Sequence, residues 1–274
     1  MMRKPARPEI VLVISDLHVG STVGLMPPNF ETVEGNKIEQ NALQRFLWES
    51  WQTMLAWVEG ETAGTNYAVV VNGDLIEGDH HGTKQIWSKD TSDHVTAAAE
   101  VLQPLLARAS HLFIVAGTET HTNNHEVSIG KILRAQKNPD TGLPAFSRLH
   151  LTVHGCRCAF SHHIGTATRS WTKATALAAA LAEERTQAIK NGEAVPQVVV
   201  RSHRHTFDSY TDGRGLVVVS PPWQMLTRFG HKVVPDARCQ PGAVLLDWRG
   251  VREGGLPNVN AKTFDAPAQT AVEI

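Results

Sequence analysis

Five times along this chain a short apolar run ends in an aspartate or a histidine, and that recurrence limits the fold more than any other feature of the sequence. Ile10 to Ile14 lead to Asp16 and His18, and Val69 to Val71 lead through Asn72 and Gly73 to Asp74. Leu112 to Ala116 lead through Gly117 to His121, Cys158 to Phe160 lead to His162 and His163, and Val198 to Val200 lead to His203 and His205. Runs of β-branched and aliphatic residues without a helical period read as buried strands. In open α/β sheets ligands gather outside the carboxyl ends of the strands, so metal-binding residue types at five such ends point to one shared site. Asp16 and His18 lie two apart, and on an extended backbone they would offer a hard oxygen and an imidazole nitrogen to a single cation. A lone Asp-x-His would read as a turn-capping acid beside a solvated histidine. Five together do not.

Composition sets bounds. A chain of 274 residues with 42% hydrophobic content can bury a full core. A formal net charge of -1 and a pI near 6.9 exclude a broad basic face, and with it unaided non-specific binding to nucleic acid. The 14 histidines are the conspicuous count, since imidazole is the commonest metal ligand. Cys156 and Cys158 sit two apart on one run without matching a zinc ribbon, and read as small buried hydrophobes in a reducing compartment. The apolar run after Arg3, Lys4 and Arg7 is too short for a signal peptide or membrane span, so a soluble cytoplasmic protein without membrane contact is expected.

Between the runs, Asn36 to Val58 has the three-and-four spacing of an amphipathic helix, as does Ser92 to Ala109, where Pro104 must kink or interrupt it. The first half alternates strand and helix, which predicts a parallel sheet with right-handed crossovers. In the second half His154-Gly155 is a two-residue hairpin signal between Leu149–Val153 and Cys156–His162. A long Ala-rich helix is expected over 171–191, with Gly192 ending it. Runs at 205–210, 215–220 and 243–248 read as a meander, and from Arg249 onward Gly, Pro, Asn and Thr indicate a surface tail.

In this order the motifs resemble the calcineurin-like metallophosphoesterases: D-x-H at Asp16 and His18, N-G-D ending at Asp74, a Gly-led loop with His after the third run, a His-bearing strand end at His162 and His163, and S-H-x-H at His203 and His205. G-T-E-T-H at Gly117 to His121, H-H-I-G at His162 to Gly165 and P-P-W-Q at Pro221 to Gln224 look like a phage-associated and bacterial branch whose substrates are generally unassigned. The resemblance spans nearly the whole chain to about residue 248. It implies an α/β fold, a four-layer αββα sandwich of two mixed β-sheets, with a metallophosphoesterase domain over 1–250 and a C-terminal tail over 251–274. It further implies that Asp16, His18 and His205 hold one metal, that Asp74 bridges, and that His203 with His162 or His163 holds a second. Two cations about 3.5 to 4 Å apart grip a phosphoester and activate water for in-line displacement. Mixed His and Asp ligands suit two divalent transition metals, Mn, Fe, Zn or Co, with Mn the first choice in vitro.

The chain departs from the family after the third run. Most members have Gly-Asn-His-Asp or Gly-Asn-His-Glu there, the Asn binding the second metal and the His protonating the leaving oxygen. Here Thr118 follows Gly117, and Asn124, His125 and Glu126 come seven residues later. Either His121 acts near the metals, which is preferred for its nearness to the strand end, or the loop folds back so that Asn124 ligates and His125 is catalytic. For His125 the first turn of a helix is an equal reading. Glu77, His80 and His81, directly after the bridging acid, are candidate substrate contacts against a reading as solvated loop. Trp223 either walls the substrate cleft or packs on the core. Three functions compete: a phosphoesterase acting on a small or nucleotide-type phosphoester, a nuclease with the same chemistry, and a scaffold that has lost catalysis. The ligand set argues against the scaffold, and the charge favours small substrates over nucleic acid. The oligomeric state is open between monomer and homodimer.

Overall fold

Every residue of the first strand, β1 (Ile10–Ile14), is buried, and its two faces serve two different cores. Ile10, Leu12 and Ile14 point into one hydrophobic cluster, Val11 and Val13 into another. This alternation of side chains along a strand sets the layering of the molecule. The computed structural model describes residues 7–79, 84–122, 125–165, 172–233 and 239–266.

After β1 come a small hairpin, β2 (Phe30–Glu31) and β3 (Lys37–Ile38), then α1 (Ala42–Thr62), β4 (Tyr67–Asn72), α2 (Thr91–Leu102), β5 (Ala109–Val115), α3 (Glu119–Thr122) and α4 (His125–Ile132). The second half follows as β6 (Leu149–Val153), β7 (Cys156–Phe160), α5 (Lys173–Asn191), β8 (Val198–Arg201), β9 (Asp208–Thr211), β10 (Leu216–Val219), α6 (Arg228–Val233), β11 (Gly242–Asp247) and β12 (Asn258–Thr263). Two five-stranded mixed sheets result, ordered β12-β11-β1-β4-β5 and β6-β7-β8-β10-β9.

The sheets face each other across a core made by Val11, Val13, Val70, Val244 and Leu246 on one side and Cys158, Phe160, Val198, Val200 and Val218 on the other. The outer face of the first sheet carries α1, α2 and α4, through residues such as Leu47, Trp51, Met54, Ala98, Val101 and Ile129. The outer face of the second carries α5, whose Leu177 and Leu181 meet Val199, Val217 and Val219. The order of layers is helix, sheet, sheet, helix, the αββα sandwich expected.

Local rules account for most element ends. Helix α1 starts at Ala42 rather than at 36, because Asn41 and Gln44 form a reciprocal capping box (Gln44 N to Asn41 Oδ1 2.9 Å, Asn41 N to Gln44 Oε1 3.1 Å) and Lys37–Ile38 are taken by β3. Helix α2 stops at Leu102 and continues as a 3-10 turn over Gln103–Ala107, where Pro104 lacks the N–H that an α-helix needs. Gly192 ends α5 with φ 68°, and His154-Gly155, with φ 48° and 75°, closes the β6–β7 hairpin.

Two expectations about the second half fail. The run at 243–248 does not join a meander with 205–220: β11 crosses to the first sheet and pairs antiparallel with β1, Ile10 opposite Asp247. Its residues Gly242–Leu246 are buried on both faces, which an outer strand of a meander could not provide. The segment expected as a tail supplies β12, which pairs with β11 from Gly242↔Thr263 to Asp247↔Asn258. Its sparse apolar content suits an edge strand, half buried and ending in Lys262 and Thr263. Among the described residues no helix is long and apolar enough to cross a membrane.

Candidate metal centre

Where β1 ends, the backbone departs from the extended form expected for Asp16 and His18. Both are left-handed, with φ 52° and 44°, as are Asp74 (51°), His203 (70°) and His205 (52°). These are five of the nine non-glycine residues of positive φ among those described. Asp and His tolerate this region better than most residues, yet each instance costs of the order of 1–3 kcal/mol and persists only where the surroundings enforce it. Enforcement comes from neighbouring strand ends: Asp16 N donates to Gly73 O (3.0 Å), His18 N to Asp74 O (3.0 Å), and Trp223 N to Asp16 O (2.9 Å). Two glycines leave the necessary room. A Cβ on Gly73, itself at φ 92°, would strike the His162 ring, and one on Gly117 would strike Asp74.

The side chains so placed form three overlapping groups of metal-ligating atoms: Asp16, His18 and His205; His18, Asp74 and His121; and Asp74, His162 and His203. The first and third share no residue. Asp74 Oδ2 joins them, 3.6 Å from His18 Nε2 and 3.0 Å from His162 Nε2. Asp16 Oδ1 stands 3.3 Å from His205 Nε2 and 3.8 Å from His162 Nε2. Asp16 Oδ1, His18 Nε2 and His162 Nε2 are nonetheless buried without a hydrogen-bond partner, so they converge without bonding one another. Buried polar atoms are rarely left so, and three in one place fit a shared metal ion.

The tautomers agree. His162 Nδ1 lies 2.8 Å from the Asn72 carbonyl and His121 Nδ1 3.1 Å from the Glu77 carbonyl. A carbonyl only accepts, so both Nδ1 atoms carry hydrogen, and in the neutral imidazole a metal requires it is Nε2 that holds the lone pair. His18 Nδ1 is 2.8 Å from Glu77 Oε2, again leaving Nε2 for a metal. With one carboxylate and two imidazoles in each end group, the donor set fits divalent transition metals of the Mn, Fe, Co and Zn type.

Electrostatics describe the same centre in its metal-free form. Burial would raise the Asp16 carboxyl, but His162 and His205 outweigh it and bring the pKa down to about 2. Burial is likewise outweighed at Asp74, where His162 and then His18 hold the carboxyl well below its usual range. Against burial, Asp16 and Asp74 lift His162 to about 9, and Asp16 lifts His205 to about 10 with Cys239 adding to it. His203, under burial and the charge of His162, falls to about 4, and His163 is lowered by the same two causes. Protons on His162 and His205 thus balance the two carboxylates, and a divalent cation bound there would displace them.

The remaining expected residues divide. His162 turns inward and is 1% exposed, while His163 lies on the rim, its Nε2 3.4 Å from Thr118 Oγ1 and its ring 4.7 Å from that of His203. His125 is not brought to the centre: in the first turn of α4 it is Glu126 that turns in, accepting from Gly117 N at 3.0 Å. Glu77 is not a substrate contact on an open loop but a buried brace, bonded to His18 and to Gln224 Nε2 (2.7 Å). Trp223 does not wall a cleft. It is fully buried and edge-on to Trp51 at 4.8 Å, because its backbone is fixed to Asp16 and its ring falls into the helix-side core. Asn124, His80 and His81 lie outside the described residues. Sequence reasoning missed three supports: Thr118, whose N and Oγ1 donate to Asp74 (2.6 and 3.2 Å); Gln224; and Asn72, whose amide donates to Ser161 O and Ser202 Oγ (3.1 and 2.7 Å). A polar Asn closing an apolar run was the one available signal.

No family model and no curated protein matches the sequence. Among solved structures, the chain is similar to a novel archaeal phosphodiesterase (10% identity, 93% of this chain and 99% of that one, TM-score 0.45). It is also similar to Vps29 from Cryptosporidium parvum (14%, 95% and 100%, 0.44) and to zinc-complexed Vps29 from Entamoeba histolytica (12%, 93% and 98%, 0.41).

Proposed function

We propose that the protein is a metal-dependent phosphoesterase of the calcineurin-like type, which hydrolyses a phosphoester with water. The observation that carries this is the pair of independent Asp-His-His groups joined through one oxygen of Asp74. Asp16, His18 and His205 would hold one divalent ion, Asp74, His162 and His203 the other, with Asp74 shared. Such a pair, when bound, polarises the phosphoryl oxygens and lowers the pKa of a water, which is what phosphoester hydrolysis requires. The chain's own groups then have distinct tasks. Glu77 and Asn72 fix the rings of His18 and His162, and Thr118 aims Asp74. His121, anchored through Nδ1 at the Glu77 carbonyl, presents its lone-pair nitrogen beside His18 and Asp74, which favours ligation or proton acceptance over proton donation. Three buried free thiols, Cys156, Cys158 and Cys239, are in keeping with a reducing, cytoplasmic location, and the G-T-E-T-H, H-H-I-G and P-P-W-Q motifs with the phage-associated and bacterial branch.

The test is hydrolysis of bis-p-nitrophenyl phosphate with added Mn and its loss on chelation. Absence of turnover with each of Mn, Fe, Co, Ni and Zn would return the protein to the scaffold reading. A panel of cyclic nucleotides, phosphomonoesters, RNA, and single-stranded and duplex DNA at low and moderate salt then identifies the substrate, since a nuclease loses affinity steeply as salt rises.

A further inference from the structure

The first turn of α2 directs two polar side chains inward, Asp93 and His94, both buried. Asp93 is fully used there: Oδ1 accepts from Val33 N at 2.8 Å and Oδ2 from Ser88 Oγ at 2.6 Å. His94 belongs to none of the metal-ligating groups. Its Nε2 lies 2.9 Å from the Ser88 carbonyl, which only accepts, so Nε2 carries hydrogen. Nδ1 has no hydrogen-bond partner, and burial pushes the pKa below the ordinary histidine value, which keeps the ring neutral. Burying a polar atom without a partner is costly, so filling the core beside Trp87, 5.1 Å away ring to ring, does not by itself account for a histidine. An aliphatic or phenyl side chain would fill that space without the cost.

What the ring meets is Gly20. A Cβ on Gly20 would fall on the imidazole, almost equally close to Nδ1, Cε1 and Cγ, which puts Gly20 over the face of the ring. Gly20, with φ 110°, is the third residue of a turn that Ser21 N closes on the His18 carbonyl at 3.0 Å. Its own carbonyl accepts from Trp87 N at 2.9 Å. The turn leaving His18 is therefore gripped twice by neighbouring residues: Trp87 N holds the Gly20 carbonyl, and Ser88 O holds the ring on which Gly20 lies. Glu77 fixes the imidazole of His18, but the left-handed backbone from which that imidazole projects, φ 44°, needs a support of its own. We propose that His94 is a positioning residue for His18: pinned at Ser88, it shapes the turn at Gly20 and so keeps His18 in register with Asp16 and His205. This rests on the proposed pair of metal groups, not on hydrolysis.

The test is stepwise binding of Mn and of Co to the metal-free protein, in competition with a chromophoric chelator. His94→Ala is expected to weaken one metal about tenfold or more, the scale of an outer-shell partner, and to leave the other within about twofold. In a His18→Ala background, where that group is already broken, His94→Ala should change nothing further. His94→Gln, which keeps an N–H for Ser88 without the ring, and His94→Phe, which keeps a ring face without the N–H, should each retain part of the affinity. Gly20→Ala should weaken the same metal, and its penalty should shrink in the His94→Ala background, because the two groups touch. Equal weakening of both metals, or a lower melting temperature with both affinities unchanged, marks a side chain that only fills the core and overturns the positioning role. Should His94→Ala fail to fold, His94→Gln and Gly20→Ala carry the comparison. Amide hydrogen exchange of the metal-free protein is the second readout: His94→Gln should speed exchange at Ser21 and Trp87 and leave Ser161 and Ser202 as they are. If the wild type binds no metal the metal-centre reading fails, and exchange alone decides: unchanged protection of Ser21 and Trp87 in His94→Gln overturns the role of His94.

Discussion

The two end groups of the metal centre have the same composition, one carboxylate and two imidazoles, but they are held in different ways. In the Asp16–His18–His205 group the brace is a chain of buried side chains, His18 to Glu77 to Gln224 to Ser21. In the Asp74–His162–His203 group it is the peptide carbonyl of Asn72, with the Asn72 amide tying β4 to the ends of β7 and β8. A carboxylate brace raises the basicity of its imidazole and can be removed by one substitution; a carbonyl brace is part of the fold. The first group is therefore the tunable one and the second the hard-wired one.

The largest effect should come from the atom common to both. Asp74→Asn is expected to lower metal content in both groups and to reduce activity by more than about 10²-fold, beyond the usual loss from an outer-shell partner. Metal analysis giving an unchanged complement would remove Asp74 from the centre. His121→Ala should follow, with a loss of about 10²-fold or more from the absence of a metal ligand or proton acceptor, while His125→Ala stays within about threefold. If His121→Ala also sheds metal, it is a ligand. Should His125→Ala prove the more damaging, the loop after β5 works differently in the reacting protein.

Glu77→Gln separates the two groups directly. One metal should bind about 10–100-fold more weakly while the other is retained, read by stepwise removal with a chelator. Equal weakening at both would erase the distinction between side-chain and carbonyl braces. Each group also carries one imidazole of raised pKa, His205 at about 10 and His162 at about 9. In the metal-free protein these exceed the unfolded value near 6.5. The stability they contribute is complete below that pH and is lost as pH rises through 9 to 10. Metal replaces those protons, so thermal melts should show metal-free protein weakening from pH 7 to 10 and the gain on adding metal growing over the same interval. A gain that shrinks with pH would contradict the assignment of both histidines. The smallest effect is expected from Thr118→Val, which removes the hydroxyl from Asp74 Oδ2 but keeps the backbone N–H bond to Oδ1. About 0.5–1.5 kcal/mol, or up to roughly tenfold in activity, is the expected loss.

What the sequence made legible was local. Asp16, His18, Asp74, His203 and His205, and His162 and His163 as an undecided pair, could be singled out because each follows an apolar run, and a strand's end is written in its own residues. What stayed hidden depends on partners far along the chain. Glu77 looked like a rim residue because it follows the bridging acid, and only folding turns it toward His18 and the distant Gln224. Trp223 carries no mark of its burial against Trp51. The crossing of β11 to the first sheet and the pairing of β12 are choices of long-range partner that periodicity does not encode. Left-handed backbone at the ligands was invisible for a related reason, since Asp and His are common in many conformations and are held in this one by neighbouring strands.

The position of β1 has a consequence for how the protein comes to exist. Early in the chain, it lies in the middle of its sheet, between β4 and a strand that begins at Gly242. Contacts so distant in sequence form slowly, because a long loop must close before they contribute. A nascent chain that has emerged only to residue 200 contains Asp16, His18, Asp74 and His162, but neither His203 nor His205, and β1 still has one side unpaired. A metal held by all of these residues would therefore be captured only after β8 has joined the second sheet, so it would follow the folding of both sheets rather than seed it.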